Sequence, residues 1–257
     1  MSENERKLHG ESIPDFELGF SEKRTYPLVI YDNHLIANIS GLQVLIDTGS
    51  PVSIGRASLD LLGITCKPQH SFMGLSINLI EEYLGHKIDL LLGADMLSSL
   101  CLSINYDGRT VSFSSEPQNL EGKSLPVEKM HNVPIIAIKA GGQHRKVFFD
   151  TGAKVSYLKQ SLTVGLTCTG KAKDFYPGIG QFETELYRVP LEILDEAIEL
   201  DCGNLPALIE MTLAMANCDG ILGNDIFKYY NSVSINLPGK VICLERRATL
   251  KSEASEN

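Results

Sequence analysis

The feature that most constrains this chain is that it is written twice. Residues 44–66 read VLIDTGSPVSIGRASLDLLGITC, and residues 147–168 read VFFDTGAKVSYLKQSLTVGLTC, with one residue deleted. Residues 88–97, IDLLLGADML, match residues 218–227, CDGILGNDIF. Residues 102–113, LSINYDGRTVSF, match residues 233–244, VSINLPGKVICL. Three blocks recurring in one order imply a tandem duplication, and such a chain is expected to fold as two similar lobes. The expected boundaries are a polar leader at 1–24, a first lobe at 25–117 and a polar, Pro/Gly-containing connector at 118–123. A second lobe at 124–247 and a polar tail at 248–257 complete the chain.

Within each copy the pattern is mainly β with short helices. Leu28–Tyr31, Leu35–Ile39 and Gln43–Ile46 are short apolar runs broken by polar turns, and Ile135–Lys139 and Lys146–Phe149 repeat them. Leu102–Tyr106, a turn at Asp107-Gly108 and Thr110–Phe113 read as a hairpin, copied at Ser234–Leu237, Pro238-Gly239 and Val241–Leu244. Short helices are expected at 56–62, 78–84 and 94–100. The fold class is therefore all-β, in two similar lobes.

The centre of each copy is Asp-Thr-Gly after an apolar strand: Asp47-Thr48-Gly49 following Leu45-Ile46, and Asp150-Thr151-Gly152 following Phe148-Phe149. A single such tripeptide is weak evidence and reads equally well as a turn with an Asx hydrogen bond. Two at equivalent positions of a repeat point to paired carboxylates. Two facing carboxyls that share one proton can deprotonate an attacking water and protonate a carbonyl oxygen. Two full charges about 3 Å apart would repel by roughly 5 kcal/mol at an effective dielectric near 20, so one carboxyl keeps its proton. The glycines are expected to permit a tight turn that brings N–H groups to the carboxylate. The threonine hydroxyls are expected to bond across to the other copy.

At this point the chain resembles a known family. Asp-Thr-Gly-Ser (Asp47–Ser50) and Asp-Thr-Gly-Ala (Asp150–Ala153), followed by Leu91-Leu92-Gly93 and Ile221-Leu222-Gly223, are similar to the two halves of pepsin-type and retroviral-type aspartic peptidases. The stretch from Ile221 to Tyr230 resembles the closing lobe of pepsins, and Leu92–Leu97 with Ser103–Tyr106 resembles a retropepsin subunit. The resemblance spans most of 25–247. It implies pseudo-twofold-related lobes with a cleft between them, Asp47 and Asp150 as the catalytic pair, water as the nucleophile and no cofactor.

Two departures qualify it. Asp47 and Gly93 stand 46 positions apart, whereas Asp150 and Gly223 stand 73 apart. In this family that interval carries the flap, a hairpin over the substrate. Lobe two offers Ala172–Tyr176, a tip at Pro177-Gly178-Ile179-Gly180, and Phe182–Ile193, so a single flap from lobe two is expected. Tyr176 beside its tip is a candidate for lining the pocket. The lobe-one interval reads as a helix at 78–84 instead. The second departure is Ser50 against Ala153. A serine hydroxyl there could donate to the neighbouring carboxylate and lower its pKa. An alanine cannot, and the mixture predicts a mildly acidic optimum.

Other residues narrow the function. Asp95 and Asp225, two positions after the repeated glycines, read as structural or helix-capping. The six histidines form no H-x-x-x-H or H-E-x-x-H pattern and read as surface residues, so no metal is expected. No G-x-S-x-G elbow occurs, and Gly178-Ile179-Gly180 lacks the context of a nucleotide loop. A net charge of −9 argues against nucleic acid and anionic membrane as partners. No apolar run is long enough to span a bilayer, and the charged start shows no secretory signal. The six cysteines lack a C-x-x-C pair and read as free, mostly buried thiols of a cytoplasmic protein. The expected function is an aspartic endopeptidase acting on an extended peptide, and one chain holds both half-sites, so a monomer suffices. The alternative is a catalytically silent peptide-binding module on the same fold; in either case the leader could plug the cleft.

Overall fold

The computed structural model describes residues 22–116 and 122–248. The leader up to residue 21, connector residues 118–121 and the tail from 249 lie outside the described residues. The first strand, Lys23–Tyr31, takes in the last two residues assigned above to the leader.

Two large sheets carry the fold. A ten-stranded sheet runs from Lys123–Pro126 through Val241–Arg246 and Tyr230–Asn236 to Cys101–Asn105 and Thr110–Ser114. It continues through Lys23–Tyr31, His34–Ile39 and Leu42–Ile46 to Leu90–Leu92 and Ile54–Gly55. It is the floor shared by both lobes, because Cys101–Asn105 pairs antiparallel with Tyr230–Asn236, from Cys101 opposite Asn236 to Asn105 opposite Ser232. An eight-stranded sheet belongs to lobe two and contains Val133–Ala140, Gln143–Phe149, Cys168–Tyr176 and Gly180–Ile193. The architecture is all-β, with two pseudo-twofold-related lobes and a cleft between them.

Local chemistry explains the hairpins at the floor. Asn105 Oδ1 accepts from the Gly108 N–H at 2.7 Å, and Asn236 Oδ1 accepts from the Gly239 N–H at 2.7 Å. Each asparagine thus closes its own turn and sets the register of the strands on either side. These strands bury Leu102, Ile104, Val111, Phe113, Val233, Ile235, Ile242 and Leu244 in one core continuous across both lobes.

The strand leading to Asp47 is fully buried at its end, with Val44, Leu45 and Ile46 each 1% exposed or less, and the strand leading to Asp150 buries Val147 and Phe149. Each pairs in parallel with the repeated apolar segment, Val44 opposite Leu90 in lobe one and Val147 opposite Gly220 in lobe two. Strands covered on both faces need continuous apolar runs, which is why no alternation is visible in them.

Three local expectations need revision. Residues 56–62 do not form a helix: Leu59–Leu61 is a strand paired with Ile64–Cys66. A short apolar run fits either period, and here burial of Leu59 and Leu61 on one face selects the strand. The helix expected at 94–100 shrinks to Ala94–Leu97. Ile77–Leu84 is helical as expected, opened by Ser76, whose hydroxyl accepts from Leu79 N–H, and closed by Gly85 in the left-handed region. A further helix, Ala207–Met215, has no counterpart in the expected elements. Among the described residues no helix is long and apolar enough to cross a membrane.

Candidate active site

Asp47 and Asp150 are the first residues after the two buried parallel strands. The Asp47 N–H donates to the Leu92 carbonyl at 3.0 Å, and the Asp150 N–H to the Leu222 carbonyl at 2.9 Å. The chain then turns back on its own carboxylate. Gly49 and Ser50 N–H groups donate to Asp47 Oδ1 at 3.0 and 2.8 Å; Gly152 and Ala153 N–H groups donate to Asp150 Oδ1 at 2.7 and 3.2 Å. The two carboxyls meet across the lobe boundary, close enough for the charge of Asp150 to act on Asp47.

The threonines lock this arrangement. Thr48 Oγ donates to the Phe149 carbonyl at 2.9 Å and accepts from the Thr151 N–H at 3.0 Å. Thr151 Oγ donates to the Ile46 carbonyl at 2.8 Å and accepts from the Thr48 N–H at 3.0 Å. Both threonines are completely buried, so all four bonds act where an unpaired group would be costly.

The glycines are required for a different reason from the expected turn flexibility. A Cβ on Gly49 would overlap the Asp150 carboxyl, and one on Gly152 would overlap the Asp47 carboxyl. Each glycine makes room for the opposite aspartate.

Ser50 does not act as the sequence suggested. Its hydroxyl donates to the Val52 carbonyl at 2.7 Å, while its backbone N–H serves Asp47 just as the Ala153 N–H serves Asp150. The serine side chain is consumed in its own loop, so the Ser/Ala difference gives no direct asymmetry at the carboxylates. The asymmetry comes from elsewhere. Burial, and then the Asp150 charge, push Asp47 far above the usual carboxylate range. Burial also raises Asp150, but its N–H donors pull it back. Both carboxyls are raised and face each other, so the pair retains one proton and titrates as a unit.

A supporting pair was not singled out from the sequence. Ser53 Oγ donates to Asp95 Oδ1 at 2.7 Å and accepts from the Gly93 N–H at 2.9 Å. Ser156 Oγ donates to Asp225 Oδ1 at 2.6 Å and accepts from the Gly223 N–H at 3.0 Å. Asp95 and Asp225 are thus structural, receiving the serine N–H groups as well, at 2.9 and 3.0 Å. These links tie each aspartate loop to the apolar-apolar-Gly turn behind it. The signal was present, because each serine stands six positions after its Asp in an aligned Val-Ser.

The cleft above the pair encloses a cavity of about 250 Å³, walled by apolar and aromatic side chains including Phe72, Leu75, Phe148 and Leu213. The lobe-two hairpin, Cys168–Tyr176 with Gly180–Ile193, reaches over it. Tyr176 lines the cleft; burial first, and then the charges of Asp150 and Asp47, push its phenol upward, so it remains a donor. Gly178 and Gly180 take left-handed φ values of 79° and 80° at the tip, and Ile179 packs on the lobe-two core cluster.

Lobe two is not the sole source of cover. Ser71–Phe72 and Leu75–Ser76 form a small lobe-one hairpin, turned by Met73-Gly74 with positive φ at both residues. Its Met73 carbonyl accepts from the Gly178 N–H at 2.8 Å. The expectation of a single flap is therefore corrected: a long and a short hairpin meet over the cleft. Two-residue strands carry no readable period, which hid the short one.

One histidine was also misplaced. His34 is 1% exposed, its Nδ1 lies 2.9 Å from the Asp32 carbonyl, and its ring stacks on Phe175 of the long hairpin. All six cysteines are free, five of them buried and Cys168 exposed. Among the described residues no cluster of three or more His, Cys, Asp or Glu side chains is arranged to hold a metal ion.

No family model and no curated protein matches the chain in sequence. In structure it is similar to the aspartic proteinase from Irpex lacteus, with a TM-score of 0.50 and 11% identity over 90% of this chain and 99% of that one. At that identity the likeness is one of fold, and the chain has the two-lobed, all-β architecture of a pepsin-like proteinase.

Proposed function

We propose that this protein is an aspartic endopeptidase whose catalytic pair is Asp47 and Asp150. The observation that carries the reading is the pair itself: two half-buried carboxyls facing each other beneath an apolar cleft, each packed against the opposite loop's glycine and held by two N–H groups of its own loop. In this mechanism Asp150 is the base that takes a proton from a water held between the carboxyls. Asp47 gives its proton to the scissile carbonyl oxygen as the water attacks. The tetrahedral intermediate then collapses, with a proton returned to the leaving amine. Tyr176 is suited to donate to the substrate from above, and the two hairpins to exclude bulk water.

The substrate is a peptide or protein segment laid extended along the cleft. Both half-sites are on one chain, so a second copy is not needed. The free thiols fit a reducing, cytoplasmic compartment. A silent binding module would have no use for two facing, mutually repelling carboxyls.

The test is cleavage of a peptide library from mildly acidic to neutral pH, beside an Asp47→Asn variant. Turnover lost in the variant supports the peptidase. Binding without cleavage at every pH would assign the chain to the binding-module class instead.

A further inference from the structure

The cleft contains a third carboxylate. Asp174 lies two residues before Tyr176 on the first flap strand, so both side chains fall on the same face of that strand, and both line the cleft. Asp174 is buried, at 8% exposed, on a stretch of the cleft wall that includes the aromatic rings of Tyr157 and Phe182.

The protein satisfies Asp174 only in part. The Tyr157 hydroxyl donates to Oδ2, and the Phe175 N–H donates to Oδ1 at 2.8 Å. A carboxylate offers about four acceptor positions, so two donors leave capacity over. The basic groups that face it are His34, whose pKa burial lowers, and Lys154. Lys154 is committed to Asp32 at 2.8 Å, and His34 Nδ1 to the Asp32 carbonyl. Among the described residues neither lies within ion-pair distance of Asp174, and no lysine or arginine lines the cleft. An ionised carboxylate held in an apolar wall without a cation is costly, and a cation arriving with a ligand would offset that cost.

We propose that Asp174 is a specificity-determining residue that selects a basic side chain, Lys or Arg, in the peptide bound along the cleft. This rests on the peptidase reading and deepens it. The geometry favours a long, flexible cation, because the stem can lie along the apolar wall while its head reaches the carboxylate.

The test uses a peptide with apolar residues flanking its scissile bond, in which Lys, Arg, norleucine, Nε-acetyl-lysine or Glu is walked singly through the neighbouring positions. At one position Lys or Arg should exceed norleucine in kcat/KM by about tenfold or more, as expected for a desolvated charge pair. Acetyl-lysine, of similar length but neutral, should lose that advantage in the wild-type protein, and Glu should be the poorest. In Asp174→Asn the ratio of Lys to norleucine should fall to about one, and Asp174→Glu should restore part of it. Cleavage without any basic preference, or a preference that survives in Asp174→Asn, overturns the assignment and leaves the peptidase reading standing. If no peptide is cleaved, the same set is titrated against the Asp47→Asn variant. Binding that favours Lys over acetyl-lysine then keeps the subsite while the peptidase reading falls; binding without that preference overturns both.

Discussion

Thr48 and Thr151 accept each other's backbone N–H at 3.0 Å while each hydroxyl donates into the opposite lobe. This exchange makes the position of each aspartate depend on the other lobe. Thr48→Val keeps the shape but strands the Phe149 carbonyl and the Thr151 N–H in a buried site. It should cost about 2–4 kcal/mol, one or two unsatisfied groups' worth. Thr48→Ser keeps the hydroxyl and should cost less than about 1 kcal/mol. Combining Thr48→Val with Thr151→Val should show a coupling of at least about 0.5 kcal/mol, because the substitutions share one network. Urea unfolding of the five proteins, Thr151→Val alone included, decides it; a Thr48→Val variant as stable as wild type would mean the exchange is ornamental.

The raised pKa of Asp47 has a consequence for stability. Its folded pKa is raised, by burial first and then by Asp150, above the ordinary value of 3.8. The folded state therefore binds that proton more tightly than the unfolded chain does. Stability from this group is complete below the unfolded value and is lost as pH rises from there toward the folded value. Asn cannot ionise, so Asp47→Asn should remove that slope. The variant should match wild type near pH 3.5 and exceed it at pH 7 by more than about 1 kcal/mol, since a tenfold tighter hold on a proton is worth about 1.4 kcal/mol. Equal midpoints at both pH values would exclude a proton-holding Asp47. The same raised value moves the expected activity optimum toward mild rather than strong acid, for a reason unrelated to Ser50.

Ser53 and Ser156 make matching predictions in separate lobes. Each hydroxyl bridges an aspartate and a glycine N–H, so alanine leaves one buried donor and one carboxylate short of a partner. Each substitution should cost about 1–3 kcal/mol. The two costs should add, since no partner is shared. Asp225, raised by burial to about 6 and held down by Ser156, should titrate higher still in Ser156→Ala, because the hydroxyl favours its charged form. An NMR titration of that carboxyl that does not move would count against the bridge.

What was legible in the sequence follows from how far each signal reaches. Asp47 and Asp150 could be read because the repeat supplies both the motif and its alignment. The floor hairpins could be read because Asn105 with Gly108, and Asn236 with Gly239, are local turn chemistry. Ser53 and Ser156 recur in the same repeat, but the recurrence of a serine does not by itself say which groups its hydroxyl bridges. Other features depend on contacts between distant positions. The Ser50 hydroxyl had two acceptors within reach, and only the loop's path selects Val52. His34 is buried because Phe175, far along the chain, stacks on it. Tyr157 meets Asp174 through a side-chain bond between strands that do not pair with each other, which no local pattern encodes.

The meeting of the two hairpins yields the last prediction. Gly178 has a φ of 79° and donates to the Met73 carbonyl, and a Cβ there would lie 3.2 Å from the Met73 methyl. Gly178→Ala therefore strains the tip twice, by backbone conformation and by crowding. The strain is confined to a surface hairpin tip, and an alanine at positive φ costs on the order of 1 kcal/mol. Global unfolding should shift little, by at most that amount. Cover of the cleft should suffer more, because the tip is where the lobes touch above the aspartates. On the peptidase reading kcat/KM should drop about tenfold, the size of effect expected when about 1.4 kcal/mol of closure is lost. Met73→Gly in the Gly178→Ala background removes the crowding but not the backbone strain, and should recover part of the loss. Full recovery would assign the whole effect to crowding. No loss in Gly178→Ala would mean that closure of the two hairpins is not coupled to turnover.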